Sequence, residues 1–346
     1  MIQKAVAKIS DGIGLEEDEA FEAMEAIMEN RATPAQVGAF LTALKMKGES
    51  VAEITGCARA MKQAAITVGP FEGLLVDTCG TGGDHKGTFN ISTVASFVAS
   101  GAGVKIAKHG NRSVTSRCGS ADLLEGLGIA VDVPPEVAAR SIEEVGIAFL
   151  FAPSFHPAMR HAAATRRELG FRTIFNLLGP LTNPAGAKAQ VMGVFAERWV
   201  EPLAHVLNHL GAERALVVHG SDGLDEITIY GPTVVSELKD GEVRTYSIDP
   251  KTLGLNKADD PEAIRGGDVE VNSAIARAVL EGEPGPRREI VLANAGAAVY
   301  CAGGAETLAE GVELAAEAID SGEAARVLER LLEFSLAAVA GQEEKR

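Results

Sequence analysis

Gly80-Thr81-Gly82-Gly83-Asp84 follows the apolar run at residues 74–76. Asn90-Ile91-Ser92-Thr93 then heads a second apolar stretch that stops at Gly101. Residues of these types, in this order, suit an anionic ligand. Glycines let the backbone come close and turn its amides toward a bound group. A helix that starts beside Ser92 and Thr93 offers unpaired N–H groups, hydroxyls and the positive end of the helix dipole. Two such sites in one short segment could hold a ligand with phosphates at both ends. The pattern is not Gly-x-x-x-x-Gly-Lys-Ser/Thr. Nor is it a Gly-x-Gly-x-x-Gly running straight into a helix. A nucleotide P-loop is therefore unsupported, and a dinucleotide fingerprint is weak.

A further apolar run, 104–107, leads into Lys108-His109-Gly110-Asn111-Arg112, and Gly119-Ser120-Ala121-Asp122 opens a Leu-rich helix soon after. Basic residues at a strand's carboxyl end sit where open α/β sheets bind ligands. Lys105, Lys108, Arg112 and Arg117 gather positive charge there. Taken alone, the segment reads equally well as a solvated basic loop. Further on, Asp225-Glu226 follows another strand and a glycine-containing loop. Adjacent loop carboxylates suit Mg²⁺, which takes one or two carboxylates plus substrate phosphate. In isolation they read as an ordinary acidic turn.

The elements that must position these residues change character along the chain. Residues 1–70 read as helices only. Phe21, Met24 and Met28 recur at helical spacing. Thr33-Pro34-Ala35-Gln36 and Ser50-Val51-Ala52-Glu53 are capping boxes, the first with proline at the first helical position. Phe40, Leu41 and Leu44 suit the core of this small domain better than a subunit interface. Beyond residue 70 the pattern is α/β. Strands are predicted at 74–76, 104–107, 130–133, 147–151, 191–195 and 215–219, alternating with helices. That alternation argues a mainly parallel sheet flanked by helices. Three consecutive strands follow, at 226–230, 234–239 and 242–246, with Asp240-Gly241 as a two-residue hairpin turn. From about residue 272 the chain reads as helix, ending in an acidic-basic tail expected to fray.

Bulk properties narrow the function. A net charge of −16 argues against a general nucleic-acid or anionic-membrane surface. No apolar run reaches the roughly 18 residues of a membrane span, and the N-terminus lacks a signal peptide's apolar core. Four scattered cysteines without a Cys-x-x-Cys fit free thiols, and a cytoplasmic location is expected.

Taken together, residues 79–84, 90–93, 108–112, 119–122, 172–185 and 218–226 resemble the anthranilate phosphoribosyltransferase family of tryptophan biosynthesis, and the resemblance covers nearly the whole chain. Cys118 stands where serine is often expected, and His85-Lys86 fill a variable loop. The resemblance implies transfer of a phosphoribosyl group from phosphoribosyl pyrophosphate to the amine of anthranilate. It implies donor binding by Gly80, Thr81, Gly82, Gly83, Asp84, Thr88, Asn90, Ser92, Thr93, Lys108 and Ser120. Acceptor binding falls to Gly80, His109, Asn111 and Arg166, with His156 more loosely placed. The family's metal is Mg²⁺, two per subunit, at Ser92, Asp225 and Glu226. No side chain is assigned as nucleophile or general base. The resemblance further implies a homodimer built through the N-terminal helices. It divides the chain into a helical domain, 1–70 joined by helices from about 160–185, and an α/β donor-binding domain, 71–346. Two other readings compete. A pyrimidine-nucleoside phosphorylase fits Lys108–Asn111 and Asp225-Glu226 poorly. A nucleic-acid-binding paralogue would need an extended basic surface.

Overall fold

The alternating half of the chain resolves, in the computed structural model, into one seven-stranded sheet; residues 2–113 and 117–343 are described. The strands are β1 (Val76–Thr78), β2 (Ile106–Gly110), β3 (Ile147–Phe151), β4 (Ala189–Gly193), β5 (Arg214–Gly220), β6 (Thr233–Lys239) and β7 (Glu242–Ile248). Their spatial order is β3-β2-β1-β4-β5-β6-β7. The first five are parallel, while β6 and β7 each run antiparallel to the strand before. Strand order reverses between β1 and β4. The crevice at the carboxyl ends of these two strands is thus the topological switch point, where open α/β sheets take ligands.

Period-two alternation sends side chains to both faces. On β4 and β5, Ala189, Val191, Leu216 and Val218 enter the larger core, beneath helices from residues 91–101 and 269–331. Met192, Ala215 and Val217 point the other way, into a second core shared with the N-terminal helices and the helix Val200–His209. Those N-terminal helices are α1 (Ile2–Ser10), α2 (Glu17–Met28), α3 (Pro34–Lys47) and α4 (Val51–Gln63). Both capping boxes form: Gln36 N–H donates to the Thr33 hydroxyl at 3.3 Å and Glu53 N–H to the Ser50 hydroxyl at 3.2 Å. Phe40, Leu41 and Leu44 are fully buried, so they are core. Ala162 of the helix Arg160–Leu169, with Ile174, Phe175 and Leu178 from the turn that follows, packs into the same core. No helix among the described residues is long and apolar enough to cross a membrane, and Cys57, Cys79, Cys118 and Cys301 are buried and form no disulfide among the described residues.

Two predicted strands are absent. Residues 130–133 join no ladder, because Ala130 N–H donates to the Ser335 hydroxyl at 3.3 Å and Pro134 and Pro135 lead directly into a helix. Residues 226–230 form no strand either. Asn294 binds both backbone groups of Ile227, its Oδ1 accepting from the N–H and its Nδ2 donating to the carbonyl, each at 3.0 Å. The Thr228 hydroxyl donates to Asp222 at 2.8 Å and accepts from Tyr230 N–H at 3.1 Å. Side chains here replace a neighbouring strand. The hairpin turn is as expected, with Asp240 and Gly241 at φ 53° and 78°. Residues 114–116 and the tail 344–346 lie outside the described residues.

Asn294 is buried and fixes the loop that carries Asp225 and Glu226. Asn294→Leu would strand two backbone groups of Ile227. We expect a stability loss on the order of 2–4 kcal/mol in urea titration, from two unsatisfied buried groups. A variant as stable as the parent would show that this tether is dispensable.

Candidate active site

Three backbone segments meet at the switch point. The glycine loop leaves β1 and lies over the end of β4, with Thr81 N–H donating to the Gly193 carbonyl at 2.8 Å and the Thr81 hydroxyl accepting from Phe195 N–H at 3.0 Å. The Asp225 segment presses on both. A Cβ at Gly193 would lie 1.6 Å from the Asp225 carbonyl oxygen, and one at Gly80 would lie 3.0 Å from the Gly193 carbonyl. Glycine is required at Gly193 by this close approach.

Acids crowd the resulting crevice. Burial, then the nearby Asp84 carboxylate, pushes Asp225 up to about 7. Burial, then Asp225, pushes Glu226 up to about 8. Glu226 reaches the start of the helix α5 (Ile91–Gly101), where its Oε1 accepts Ser92 N–H at 3.2 Å. Across the same helix start, the Lys108 ammonium donates to the Ser92 hydroxyl at 3.3 Å and to the Thr78 carbonyl at 2.5 Å. Burial lowers the pKa of Lys108, while Asp77 and Glu226 work against that shift. Crowded hard oxygen ligands held above their ordinary pKa are the donor set that a divalent cation would relieve. No three His, Cys, Asp or Glu side chains among the described residues converge as a complete cage. A cation here would therefore also need oxygens from water or a ligand.

Around the start of α5, Asn90 donates to the Cys118 carbonyl at 3.1 Å and accepts from Asn272 at 2.9 Å. Asp122 gathers the Gly119 and Ser113 N–H groups at 2.8 and 3.0 Å, which shapes the approach to Ser120. The Ser120 hydroxyl donates to the Asn111 carbonyl at 3.1 Å. Thr93 is buried within α5, and Thr88 forms an isolated bridge with Arg265. The expected basic cluster is smaller than its sequence suggests. Lys105 precedes the start of β2, at the opposite end of that strand from the crevice, and pairs with Glu143 at 2.9 Å. Arg112 is tied up by Asp122 and Glu125.

His109 and His156 are buried with ring centroids 5.0 Å apart. Burial, then the neighbouring His156, lowers His109 to about 3, and burial lowers His156 to about 4. Both are neutral near pH 7. Each leaves its Nε2 without a partner among the described residues. Asn111 is exposed, its side-chain oxygen accepting Arg112 N–H at 2.7 Å. Arg166 stands apart on the helix Arg160–Leu169. Its guanidinium lies 4.8 Å from the Phe175 ring, half-buried, with no carboxylate partner among the described residues.

Sequence reasoning gave no role to three residues of this region, Asp77, Asn183 and Arg172. Asp77 is fully buried under the crevice and Asn183 donates to it at 2.7 Å. Arg172 donates to the Gly83 carbonyl, approaches His85 Nε2 at 3.0 Å and stacks 4.3 Å from Phe195. A carboxylate inside an apolar strand was the available signal for Asp77.

Comparison with known proteins follows the same lines. Residues 72–325 match the glycosyl transferase family a/b domain, and residues 3–65 match that family's helical bundle domain. The chain is 59% identical to an anthranilate phosphoribosyltransferase of Symbiobacterium thermophilum, over 95% of this chain and 96% of that one. It is similar to the crystal structure of anthranilate phosphoribosyltransferase from Thermus thermophilus, at TM-score 0.91 and 50% identity, covering 95% and 98% of the two chains. The Saccharomyces cerevisiae enzyme in complex with PRPP and Mg aligns at TM-score 0.88 and 28% identity, covering 97% and 98%.

The shifts set a pH dependence. Asp225 and Glu226 are raised above their unfolded values, so the native state holds the extra protons and these groups destabilise it as pH rises from about 4 to 8. His109 and His156 are depressed, so they act oppositely, but only below about pH 6.5. Between about pH 6.5 and 8 the histidines no longer contribute and the two carboxylates set the trend. We expect the melting temperature in chelator to fall across that window, and Mg²⁺ to remove the fall. A chelated protein whose melting temperature rises or stays level there would contradict these environments.

Proposed function

We infer the activity from one premise: the chain belongs to the anthranilate phosphoribosyltransferase family. It transfers the phosphoribosyl group of phosphoribosyl pyrophosphate to the amine of anthranilate, in tryptophan biosynthesis. The bond from C1′ to diphosphate oxygen breaks, a C1′–nitrogen bond forms, and the amine loses a proton. The products are N-(5-phosphoribosyl)anthranilate and diphosphate. The observation that carries this reading is the convergence of the glycine loop, the start of α5, Lys108 and the Asp225-Glu226 pair at one switch point.

We propose that Gly80, Thr81, Gly82, Gly83, Asp84, Lys108 and Ser120 surround the donor's phosphates, and that Thr88, Asn90, Ser92 and Thr93 hold its phosphoribosyl end. Backbone amides and one lysine ammonium supply preorganised charge there, which is what a departing diphosphate needs. Ser92, Asp225 and Glu226 would hold Mg²⁺, two ions per subunit, with the donor's own oxygens completing the coordination. Held by these residues, Mg²⁺ would supply charge neutralisation for the leaving diphosphate. An aromatic amine is unprotonated near pH 7, so no strong general base is called for. Catalysis then rests on positioning and charge stabilisation.

For the acceptor we propose Gly80, His109, Asn111 and Arg166. The unpaired guanidinium of Arg166 suits a carboxylate, and the unpartnered Nε2 atoms of the histidine pair suit a polar ring substituent. We also propose that residues 1–70 and the helices of about 160–185 form one helical unit, supported by their shared core. That unit would carry a homodimer contact, supported by exposed Ile13 and Met46. Sedimentation that finds only monomer at micromolar concentration would refute it.

The test is a fluorescence assay of anthranilate consumption with and without donor, joined to equilibrium binding of each ligand to two variants. Arg166→Ala should weaken anthranilate by about 1.5–3 kcal/mol, the worth of a charged hydrogen bond, and affect the donor less. Lys108→Ala should do the reverse. Arg166→Ala that keeps anthranilate but loses the donor would show the acceptor site to be misplaced.

A further inference from the structure

β1 and β2 share a single pair, Val76↔Ile106, closed by Val76 N–H donating to the Lys105 carbonyl at 3.0 Å. β1 pairs with β4 over three residues, and β2 pairs with β3 over five. In a parallel ladder continuing in that register, Thr78 N–H would donate to the Ala107 carbonyl and His109 N–H to the Thr78 carbonyl. Neither rung forms. Side chains take three of the four groups. The Asn183 amide donates to the Ala107 carbonyl at 2.8 Å. The Asp77 carboxylate accepts His109 N–H at 3.1 Å. The Thr78 carbonyl, released from the ladder, receives the Lys108 ammonium at 2.5 Å.

The two inserted side chains hold each other. Asn183 donates to Asp77 Oδ2 at 2.7 Å, and its own oxygen accepts Ala185 N–H at 2.9 Å. The Cys79 thiol donates to the same Asp77 oxygen at 3.2 Å. Asp77 has no exposed surface, and Asn183 has 8%. A buried carboxylate–amide pair so completely bonded costs little in unsatisfied groups, and it keeps two strands apart that could otherwise close.

We propose that Asp77, with Asn183, is a positioning residue for Lys108: the pair splits β1 from β2 so that the Thr78 carbonyl holds the ammonium toward Ser92 and the donor. The assignment rests on the donor site proposed above. Closing the ladder would give the Thr78 carbonyl to His109 N–H and remove the ledge on which Lys108 rests.

The experiment measures equilibrium binding of phosphoribosyl pyrophosphate with Mg²⁺, thermal stability and steady-state constants for wild type, Asp77→Asn and the double variant Asp77→Ala/Asn183→Ala. Asp77→Asn sets two amide donors face to face, so donor affinity should fall at least tenfold while the KM for anthranilate changes less than threefold. The double variant frees the strands to pair. It should melt at or above Asp77→Asn yet still bind donor at least tenfold more weakly than wild type. A purely structural role would make stability and donor affinity fall and recover together. Donor affinity within threefold of wild type in either folded variant overturns the proposal, as does failure of both variants to fold. If wild type itself binds no donor, the functional reading fails instead.

Discussion

The Lys108 ammonium is buried at the carboxyl end of β2, with Asp77 on one side and Glu226 on the other. Its direct partners are neutral: the Thr78 carbonyl and hydroxyl and the Ser92 hydroxyl. Taking an ammonium out of water costs several kcal/mol unless charge and hydrogen bonds compensate. Asp225 and Glu226 meet the same difficulty with the opposite sign, and the charges of each other and of Asp84 add to it. One lysine does not balance so many acids. A divalent cation would offset the carboxylates, and a ligand's phosphates would in turn pair with the cation, the ammonium and the loop amides.

The scaffold makes this crowding possible. Strand order reverses between β1 and β4, so loops from both halves of the sheet open into one crevice. Gly193 admits the Asp225 backbone at a distance no side chain would permit, and Asn294 anchors Ile227, two residues further on, from the opposite side. The N-terminal helices cover the other face of the sheet and share their core with the helix Arg160–Leu169, which carries Arg166. Arg166 is thereby carried by a different layer from Lys108 and the glycine loop.

Much of this was legible in the residues. The capping boxes, the Asp240-Gly241 turn and the edges of β3 depend on local chemistry, and the structure has them where the sequence implies. The glycine loop, the start of α5 and Lys108 stood out because their residue types suit anions, and the fold brings Lys108 to the start of α5. Failures came where a distant side chain decides. Asn294 lies 67 residues from Ile227, so nothing local indicates that 226–230 forms no strand. Ser335 plays the same part for Ala130. Asp77 and Thr78 extend β1 past its apolar run because Asn183, from a later loop, satisfies the buried carboxylate. Lys105 and Arg112 looked available because their acidic partners, on the helix Pro135–Glu144 and on the helix Ser120–Gly126, come together with them only in the fold.

Calorimetric titration of Mg²⁺ into the protein, with and without saturating phosphoribosyl pyrophosphate, tests most directly whether acids and donor share one cation site. Corrected for the metal's affinity for free donor, Mg²⁺ should bind the donor complex at least tenfold more tightly than the free protein. The donor should gain the same factor from Mg²⁺, because coupling is reciprocal. Equal Mg²⁺ affinity in both titrations would mean that the carboxylates and the phosphates do not meet at one ion.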